Sequence, residues 1–278
     1  QKDDIFQWFV RFAPPCHSVA SHTRWASIGA ITEANCHPVD NTALETASKD
    51  QGIIHVCLNG DIDNYLELKR QAEKNGCCIH DEVTTDTKII PLQIQKYLDQ
   101  GMNLDEAFRL AVNDFDGSHA IMMQTDLAPD KLFLAQRGSG QAIFIGLSKD
   151  HYMPTSEVYG FVEETDRYLK LDGEKTIDGK FGPTQGQLFI IGQDSDREIE
   201  GIQAMYYDGT GIDLHPEDIQ VTHITSRDID RQDFDHYFLK EIHESPGSVE
   251  KTIQNRWKIK ENGLYTMDLN DTVFPRHL

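Results

Sequence analysis

The sequence is short of basic residues. Its 278 residues include 26 Lys and Arg against 46 Asp and Glu, so the formal net charge is −20 at pH 7. A surface that acidic repels phosphate backbones. It also has no stripe of basic residues interleaved with aromatic residues, which is the usual footprint of a nucleic-acid-binding protein. We therefore expect no nucleic-acid partner.

Long apolar runs and a secretory signal are also missing. No apolar segment approaches the roughly 20 residues that a membrane-spanning helix needs. The opening segment QKDDIFQWFVRF has no apolar region followed by a small-residue cleavage site. The cysteines are odd in number and irregularly spaced, which indicates free thiols. They are Cys16, Cys36, Cys57, Cys77 and Cys78. Together these features predict a cytoplasmic protein without a membrane partner.

The sequence has little that suggests a metal site. Cys77, Cys78 and His80 stand close together in the segment CCIH, but no second pair occurs at the spacing of zinc ligands. The segment is predicted as a short buried strand instead. We expect neither a metal ion nor an organic cofactor.

What the sequence does contain is a mixture of helical and strand patterns, which predicts an α+β layered domain. The run IIHVCL (53–58) is apolar and β-branched and ends at an Asn-Gly pair, as is typical of a strand entering a tight turn. Pro91 is expected to kink the second of the helices that follow, and Asn103 with Glu106 to cap the third. These helices are predicted at 64–76, 85–101 and 104–115.

The second half of the chain has a different pattern. Residues 192–232 are acidic and lack a clear period, so they are predicted as a long loop or crossing segment. Two helical pieces, broken at Pro246, are predicted over residues 233–257. Short strand candidates come before both segments. They are HAIMMQT (119–125), KLFLAQR (131–137), QAIFIGL (141–147), DRYLKL (166–171) and QLFIIGQ (187–193).

Six motifs occur in an order that resembles one known family. They are HTRWASIG (22–29), NCHP (35–38), LNGDIDNYLELK (58–69), TTDTK (84–88), QRGSG (136–140) and YFLKEIHESP (237–246). The set is similar to the glutaminase domain of glucosamine-6-phosphate synthase, the glutamine–fructose-6-phosphate amidotransferase of class II. The resemblance covers roughly residues 20–257. We therefore predict a glutaminase-like domain over residues 1–257 and a linker or tail over 258–278.

The resemblance implies a four-layer αββα sandwich of the N-terminal-nucleophile hydrolase type. In that family the nucleophile is an N-terminal cysteine, and its own α-amino group, which titrates near pH ~7.7–8.0, serves as the base. Residue 1 here is Gln1, and Cys16 is internal and has no free amine. Adjacent residues of an extended chain point to opposite faces, which argues against a thiol–imidazole pair of Cys16 and His17. We therefore expect the first strand and the nucleophile to be missing from this sequence.

The resemblance also assigns roles to individual residues. Arg24, in HTRWA, is expected to bind the α-carboxylate of glutamine, because a guanidinium matches a carboxylate bidentately. Asp86 is expected to pair with the α-ammonium group, and its alternative role is a plain helix N-cap. Asn59 and Gly60 are expected to form the oxyanion hole for the tetrahedral intermediate. Their alternative role is a hairpin turn, since Asn-Gly is a common turn dipeptide.

Other residues of the first two motifs are predicted to surround the same pocket. Trp25, Ser27 and Gly29 are expected to shape it, and His37 is expected to support it from behind the residues that touch the substrate. Ser27 keeps the hydroxyl of the threonine in the family pattern. Ile28 stands where the family pattern has a histidine and so lacks its polar group.

The implied function is hydrolysis of glutamine to glutamate and ammonia, with transfer of the ammonia to fructose 6-phosphate to give glucosamine 6-phosphate. The implied partners are L-glutamine and sugar-phosphate isomerase domains of the same polypeptide, and we expect a homo-oligomer. Two interpretations stay open. Either an N-terminal portion with the nucleophile lies outside this sequence, or the chain is a non-catalytic glutamine-binding regulatory or scaffold module. Retention of Arg24, Asn59, Gly60 and Asp86 favours the first.

Overall fold

The computed structural model describes residues 18–24, 28–42, 52–192, 198–225, 230–254 and 256–267. Contacts along the chain divide it into two compact units, residues 1–225 and 226–278, and each unit is described by itself. The predicted domain boundary at residue 257 stays a prediction. Within the described ranges, no helix is both long and apolar enough to cross a membrane.

The described part of the first unit consists of short strands and helices. The strands are β1 (Val39–Asp40), β2 (Ile54–Gly60), β3 (His119–Thr125), β4 (Lys131–Arg137), β5 (Phe144–Leu147), β6 (Tyr152–Thr155), β7 (Arg167–Lys170), β8 (Thr176–Gly179), β9 (Gly182–Gln185), β10 (Gln187–Gly192), β11 (Ile202–Tyr206), β12 (Gly211–Ile212) and β13 (Gln220–Val221). The helices are α1 (Tyr65–Lys74), α2 (Ile89–Asp99) and α3 (Leu104–Asn113). Short 3-10 turns lie at Glu33–Asn35, Asp86–Lys88, Val158–Gly160, Glu198–Gly201 and Pro216–Asp218.

Two antiparallel sheets pack face to face. A seven-stranded sheet has the order β1-β2-β3-β4-β10-β11-β12, and a four-stranded sheet has the order β13-β7-β5-β6. Strands β8 and β9 pair with each other as a separate ribbon. One buried cluster contains side chains of both larger sheets, among them Leu134, Phe189, Ile145 and Leu169. The sheets therefore form a sandwich with a shared apolar core.

Neighbouring side chains along the central strands belong to two different apolar cores. In β3 and β4, Ile121, Met123 and Phe133 join a buried cluster with residues of the helices, whereas Ala120 and Leu134 join the cluster between the sheets. Successive side chains of a strand point to opposite faces, so the central sheet supplies both cores. The described part of the first unit therefore has layers of helix, sheet and sheet.

Two helix predictions can be compared with the structure. Asn103 caps α3, where its side chain accepts a hydrogen bond from the backbone N–H of Glu106 at 3.0 Å, as predicted. Pro91 is the third residue of α2, and the helix continues beyond it to Asp99. The proline leaves the helix unbroken because the N–H groups of the first turn have no partner within a helix.

The predicted strand over CCIH is wrong. Residues 77–80 form a loop in which Cys77 and Cys78 are exposed. Ile79 is the residue of this segment that packs against the core beneath the helices. A single apolar contact does not require a strand, and both cysteines face solvent.

The predicted long loop over residues 192–232 is also wrong in part, because it contains β11, β12 and β13. Strand β11 pairs antiparallel with β10 in the seven-stranded sheet. Its residues Ile202, Ala204 and Tyr206 are buried in alternation with less buried neighbours. The acidic and glycine residues around this short period-two pattern hide it in the sequence.

The second unit contains one helix and one hairpin within its described residues. The helix α4 (Tyr237–Ile253) includes Pro246, so the predicted break there is wrong. Pro246 has no N–H for the carbonyl of Ile242 four residues earlier, and the helix continues past it without that one hydrogen bond. Strands β14 (Trp257–Ile259) and β15 (Tyr265–Met267) form the hairpin.

A fully buried histidine lies at the start of β3. Nε2 of His119 is 3.1 Å from the hydroxyl of Tyr207, and Nδ1 is buried without a hydrogen-bond partner among the described residues. The guanidinium of Arg137 lies over the Tyr207 ring at 4.4 Å. Burial, with a smaller contribution from the charge of Arg137, lowers the pKa of His119 to about 3. The imidazole is therefore neutral in the folded protein at pH 7.

The stability of the fold should decrease on acidification because of His119. Its folded pKa of about 3 is below the usual ~6.5, so the unfolded chain takes up a proton that the folded protein does not. The stabilising contribution is complete above pH ~6.5 and is lost as the pH falls towards the folded pKa. His119→Phe should remove about 1 kcal/mol of the stability difference between pH 7 and pH 5.5 in urea unfolding. His223→Phe, at an exposed position, is the control. An unchanged pH dependence in the His119 variant would contradict this account.

Candidate active site

A cavity of about 590 Å³ opens at the end of β2. Three separate parts of the chain bring predicted site residues to its wall. Arg24 and His37 come from the segment before β1, Asn59 and Gly60 from β2, and Asp86 from the turn before α2. Residues that are far apart in the sequence therefore line one cavity.

The other predicted pocket residues are placed differently. Trp25 and Ser27 lie outside the described residues. Gly29 is not among the residues that line the cavity. It has φ +88°, and a Cβ added there would lie 3.0 Å from the backbone of Thr84, so this glycine allows two loops to approach closely. Ile28, which replaces the family's histidine, does line the cavity.

Asn59 and Gly60 are the last residues of β2 and do not form a hairpin turn. They pair with Ala120 and His119 of β3, and the chain continues from them to α1. Gly60 has φ +110°, and an added Cβ would lie 2.2 Å from the carbonyl oxygen of Ser118. Both the backbone conformation and this contact require a glycine. The hairpin alternative is therefore wrong.

Asp86 is a buried carboxylate in the cavity wall. It is 4% exposed, and its Oδ2 accepts a hydrogen bond from the backbone N–H of Ile62 at 2.9 Å. The cap of its turn is Thr85, whose side chain accepts from the N–H of Thr87, so the N-cap alternative for Asp86 is wrong. Burial raises the pKa of the Asp86 carboxyl, the hydrogen bond from Ile62 opposes this shift, and the charge of Asp61 adds to it.

Arg24 is held in place by the loop that follows it. Its Nη1 donates to the carbonyl of Ala30 at 2.8 Å, and its Nη2 donates to the carbonyl of Ile28 at 2.6 Å. Two bonds to fixed carbonyls set the plane of the guanidinium. An oriented planar cation in a cavity wall is what bidentate binding of a carboxylate requires.

His37 joins β2 to the turn before α2. The backbone N–H of Leu58 lies 3.4 Å from Nδ1, and Oγ1 of Thr87 lies 2.9 Å from Nε2. A backbone N–H can only donate, so Nδ1 is the acceptor and Nε2 carries the proton that is donated to Thr87. Burial lowers the pKa of His37 to about 4, with smaller contributions from His22 and Arg24. His37 is therefore neutral at pH 7 and acts as a structural bridge.

Asn35 joins the loop that carries Arg24 to the segment that carries Asp86. Its Oδ1 accepts from the backbone N–H groups of Thr84 and Thr85 at 2.7 and 2.9 Å. Its Nδ2 donates to the carbonyl of Glu82 at 3.0 Å and to the hydroxyl of Thr32 at 2.8 Å. The side chain is fully buried and uses its full hydrogen-bonding capacity.

Cys57 and Gln141 are among the lining residues that were not predicted from the sequence. Cys57 precedes the Asn-Gly pair on β2, and burial raises the pKa of its thiol to about 11. It is therefore protonated at neutral pH and a poor nucleophile. Gln141 belongs to the segment predicted as a strand over 141–147, but β5 begins only at Phe144, which leaves Gln141 in a loop at the cavity. In the part of the chain that the structure describes, no cluster of metal-ligating side chains occurs.

Asn35→Ala should destabilise the protein substantially. It leaves the buried N–H of Thr85 without its partner, at about 1–3 kcal/mol. It also removes the partner of the Thr84 N–H and of the Glu82 carbonyl, which belong to exposed residues and cost less. We expect a loss of about 2–3 kcal/mol in the free energy of unfolding, measured by urea denaturation. Asn75→Ala, at an exposed position after α1, should change it by less than about 0.5 kcal/mol. A loss in the Asn35 variant as small as in the control would show that other contacts hold the two segments together.

The chain is similar to known enzymes over most of its length. No family model matches the chain. The chain is 31% identical over 234 residues to the glutamine–fructose-6-phosphate aminotransferase [isomerizing] of Methanothermobacter thermautotrophicus. This alignment covers 84% of this chain and 34% of the relative. It is 30% identical over 235 residues to the enzyme of the same name from Sulfolobus acidocaldarius, again over 84% of this chain and 34% of the relative. The chain thus spans about a third of the length of these curated relatives.

A solved structure supports the fold assignment. The glutamine phosphoribosylpyrophosphate amidotransferase from B. subtilis, complexed with ADP and GMP, aligns with a TM-score of 0.50 and 21% sequence identity. The alignment covers 67% of this chain and 34% of that one. At this identity the likeness shows the fold alone, and the predicted α+β fold class is confirmed. The chain is related to the glutamine–fructose-6-phosphate aminotransferases over 84% of its length and has the N-terminal-nucleophile hydrolase fold of the glutamine amidotransferases.

Proposed function

We propose that this chain is the glutamine-binding part of a class II amidotransferase, which hydrolyses glutamine to glutamate and ammonia for transfer to a sugar phosphate. The acceptor suggested by the names of its relatives is fructose 6-phosphate, and the product is glucosamine 6-phosphate. The observation that carries the proposal is that Arg24, Asp86, Asn59 and Gly60 line one cavity.

The first half of the proposal concerns recognition of an amino acid. Arg24 supplies a fixed cation for the α-carboxylate, and Asp86 supplies a buried anion for the α-ammonium group. An anion and a cation in one cavity suit a zwitterion, whose two charges they neutralise. In this assignment, the raised pKa of the unliganded Asp86 carboxyl is offset when the α-ammonium binds beside it.

The second half concerns the reacting amide. Attack on the side-chain carbonyl of glutamine places negative charge on its oxygen. In the proposal, the side-chain amide of Asn59 and the backbone N–H of Gly60 donate to that oxygen. Removal of one such donor typically costs about 10²–10³ in rate. Because Gly60 ends a paired strand, its backbone is fixed before substrate binds, as efficient charge stabilisation requires.

The attacking thiol is assigned to a residue outside the described part of the chain. Cys57 lines the cavity, but its thiol has a pKa of about 11, so little thiolate forms at neutral pH. The described residues therefore have the roles of substrate capture and oxyanion stabilisation. The second candidate function, a glutamine-binding regulatory or scaffold module without chemistry, is favoured because Cys57, the cysteine in the described lining of the cavity, is not activated.

The proposed partners follow from the relatives. They are L-glutamine and sugar-phosphate isomerase domains of the same polypeptide, since this chain matches only 34% of the length of enzymes described as isomerizing. We further propose a homo-oligomer in the cytoplasm. Neither a metal ion nor an organic cofactor is needed for the hydrolysis step.

Labelling of the complete polypeptide with an electrophilic diazoketone analogue of glutamine tests the catalytic function. We expect one adduct by intact-mass spectrometry, on a cysteine other than Cys57, which excess L-glutamine prevents and Arg24→Ala abolishes. No adduct, with L-glutamine still binding in calorimetry, would support the non-catalytic module. If the protein neither reacts with the analogue nor binds glutamine, the proposed function is wrong.

Two substitutions at Asp86 separate binding from structural support. Asp86→Asn keeps an oxygen that can accept from the N–H of Ile62 but removes the charge, so glutamine should bind about 10–100-fold more weakly while stability changes little. Asp86→Ala removes both the acceptor oxygen and the charge, so it should also lower the free energy of unfolding by about 1–3 kcal/mol. Calorimetry and urea unfolding measure the two effects, and Asp81→Asn, at an exposed position, is the control. Equal glutamine affinity in Asp86→Asn and the wild type would remove Asp86 from the binding site.

A further inference from the structure

Gln141 packs directly against the proposed oxyanion hole. Its side-chain amide carbon would lie 3.1 Å from a Cβ placed on Gly60, so the amide group covers the Cα of that glycine. Gln141 also lines the cavity. An uncharged amide thus lies beside the place where the side chain of bound glutamine is proposed to react.

The hydroxyl of Ser118 determines which way this amide faces. Oγ of Ser118 lies 2.5 Å from the carbonyl oxygen of Ser139 and 2.6 Å from the end of the Gln141 amide, drawn as Oε1. The hydroxyl has one proton, and a backbone carbonyl cannot donate. If the Gln141 atom is also an oxygen, the single hydroxyl proton can serve only one of the two contacts. The other contact then holds two oxygens together without a proton between them.

Rotating the amide by half a turn removes this conflict. The NH₂ group of Gln141 then donates to Oγ of Ser118, which donates its own proton to the carbonyl of Ser139. The oxygen and nitrogen of a side-chain amide have nearly the same shape, so the hydrogen-bond network decides their assignment. Gln141 lines the cavity and Ser118 does not. With the NH₂ group facing Ser118, the carbonyl oxygen of Gln141 is at the other end of the amide, and we take this end to face the cavity.

We propose that Gln141 is a specificity-determining residue whose side-chain oxygen accepts a hydrogen bond from the side-chain NH₂ of bound glutamine. The inference rests on the proposed function and extends it to the choice between glutamine and glutamate. Asn59 and Gly60 offer donors to the substrate carbonyl, and Gln141 offers the acceptor that the substrate NH₂ needs. An amide substrate satisfies all of these groups.

Glutamate cannot make the same set of contacts. Its side-chain carboxylate has no N–H to donate, so it leaves the oxygen of Gln141 unpaired and places negative charge beside it. A site that hydrogen-bonds a particular donor rejects an analogue without it, because its own polar group stays unsatisfied. In a glutaminase, this discrimination would also favour release of the glutamate product.

Calorimetric titration of the wild-type chain and its variants with L-glutamine and with L-glutamate tests the inference. The wild type should bind glutamine at least about tenfold more tightly than glutamate. Gln141→Leu, which removes the acceptor at similar size, should weaken glutamine binding about tenfold and glutamate binding much less. Gln71→Leu, on the exposed surface of α1, should keep the wild-type affinities. Thermal melting of each variant shows whether it is folded.

Gln141→Glu in a Ser118→Ala background tests the direction of the hydrogen bond. The alanine removes the hydroxyl that would otherwise face a second carboxylate oxygen, and the carboxylate keeps an acceptor oxygen at the cavity. Glutamine binding should therefore stay within about threefold of that of Ser118→Ala alone, while glutamate binding weakens further. Loss of glutamine binding in this folded variant would overturn the inference, because it would mean that Gln141 acts as a donor. An unchanged glutamine-to-glutamate ratio in Gln141→Leu would overturn it too, with the proposed function intact. A wild-type chain that binds neither ligand would overturn both.

Discussion

The hydrogen bond from the backbone of Ile62 to the buried carboxylate of Asp86 is the contact on which the geometry of the site depends. It attaches the chain just after the Asn59–Gly60 pair to the turn before α2. His37 makes a second attachment just before the pair, between Leu58 and the same turn. The proposed oxyanion donors are therefore fixed on both sides by one short segment, which also carries the proposed ligand of the α-ammonium group.

This arrangement depends on polar groups that are buried and matched. Asn35 uses three of its hydrogen-bonding positions on the segment 82–85 and the fourth on Thr32 of its own turn, and His37 is kept neutral by burial. A buried polar group without a partner costs about 1–3 kcal/mol, so each of these contacts also selects one loop conformation over others. The loops need this selection because they have little regular structure of their own: within the described residues, the segment from 18 to 38 has a single 3-10 turn.

How far the sequence predicts this structure depends on whether the deciding contacts are local. Strands β3 and β4 have the bounds that their apolar patterns predicted, because both of their faces are buried. Arg24 and Asp86 were found through motifs shared with a family, since no local pattern distinguishes a ligand-binding carboxylate from a helix cap. Gln141 had no such signal: its position beside Gly60 results from contacts with Ser118 and Gly60, which are distant in the sequence, and a single glutamine in an apolar segment predicts nothing.

The cavity itself belongs to neither sheet alone. Asn59 and Ala120 come from the seven-stranded sheet, whereas Gln141 precedes β5 and Thr155 ends β6 in the four-stranded one. Gln141 lies in the loop that joins the two sheets, from β4 to β5, and its amide contacts Ser118 and Gly60 directly. The distance between the proposed oxyanion donors and the proposed acceptor is therefore set by the packing of this loop on the end of β2. Ser118, which does not need to touch glutamine, thus holds the two halves of amide recognition at a fixed separation.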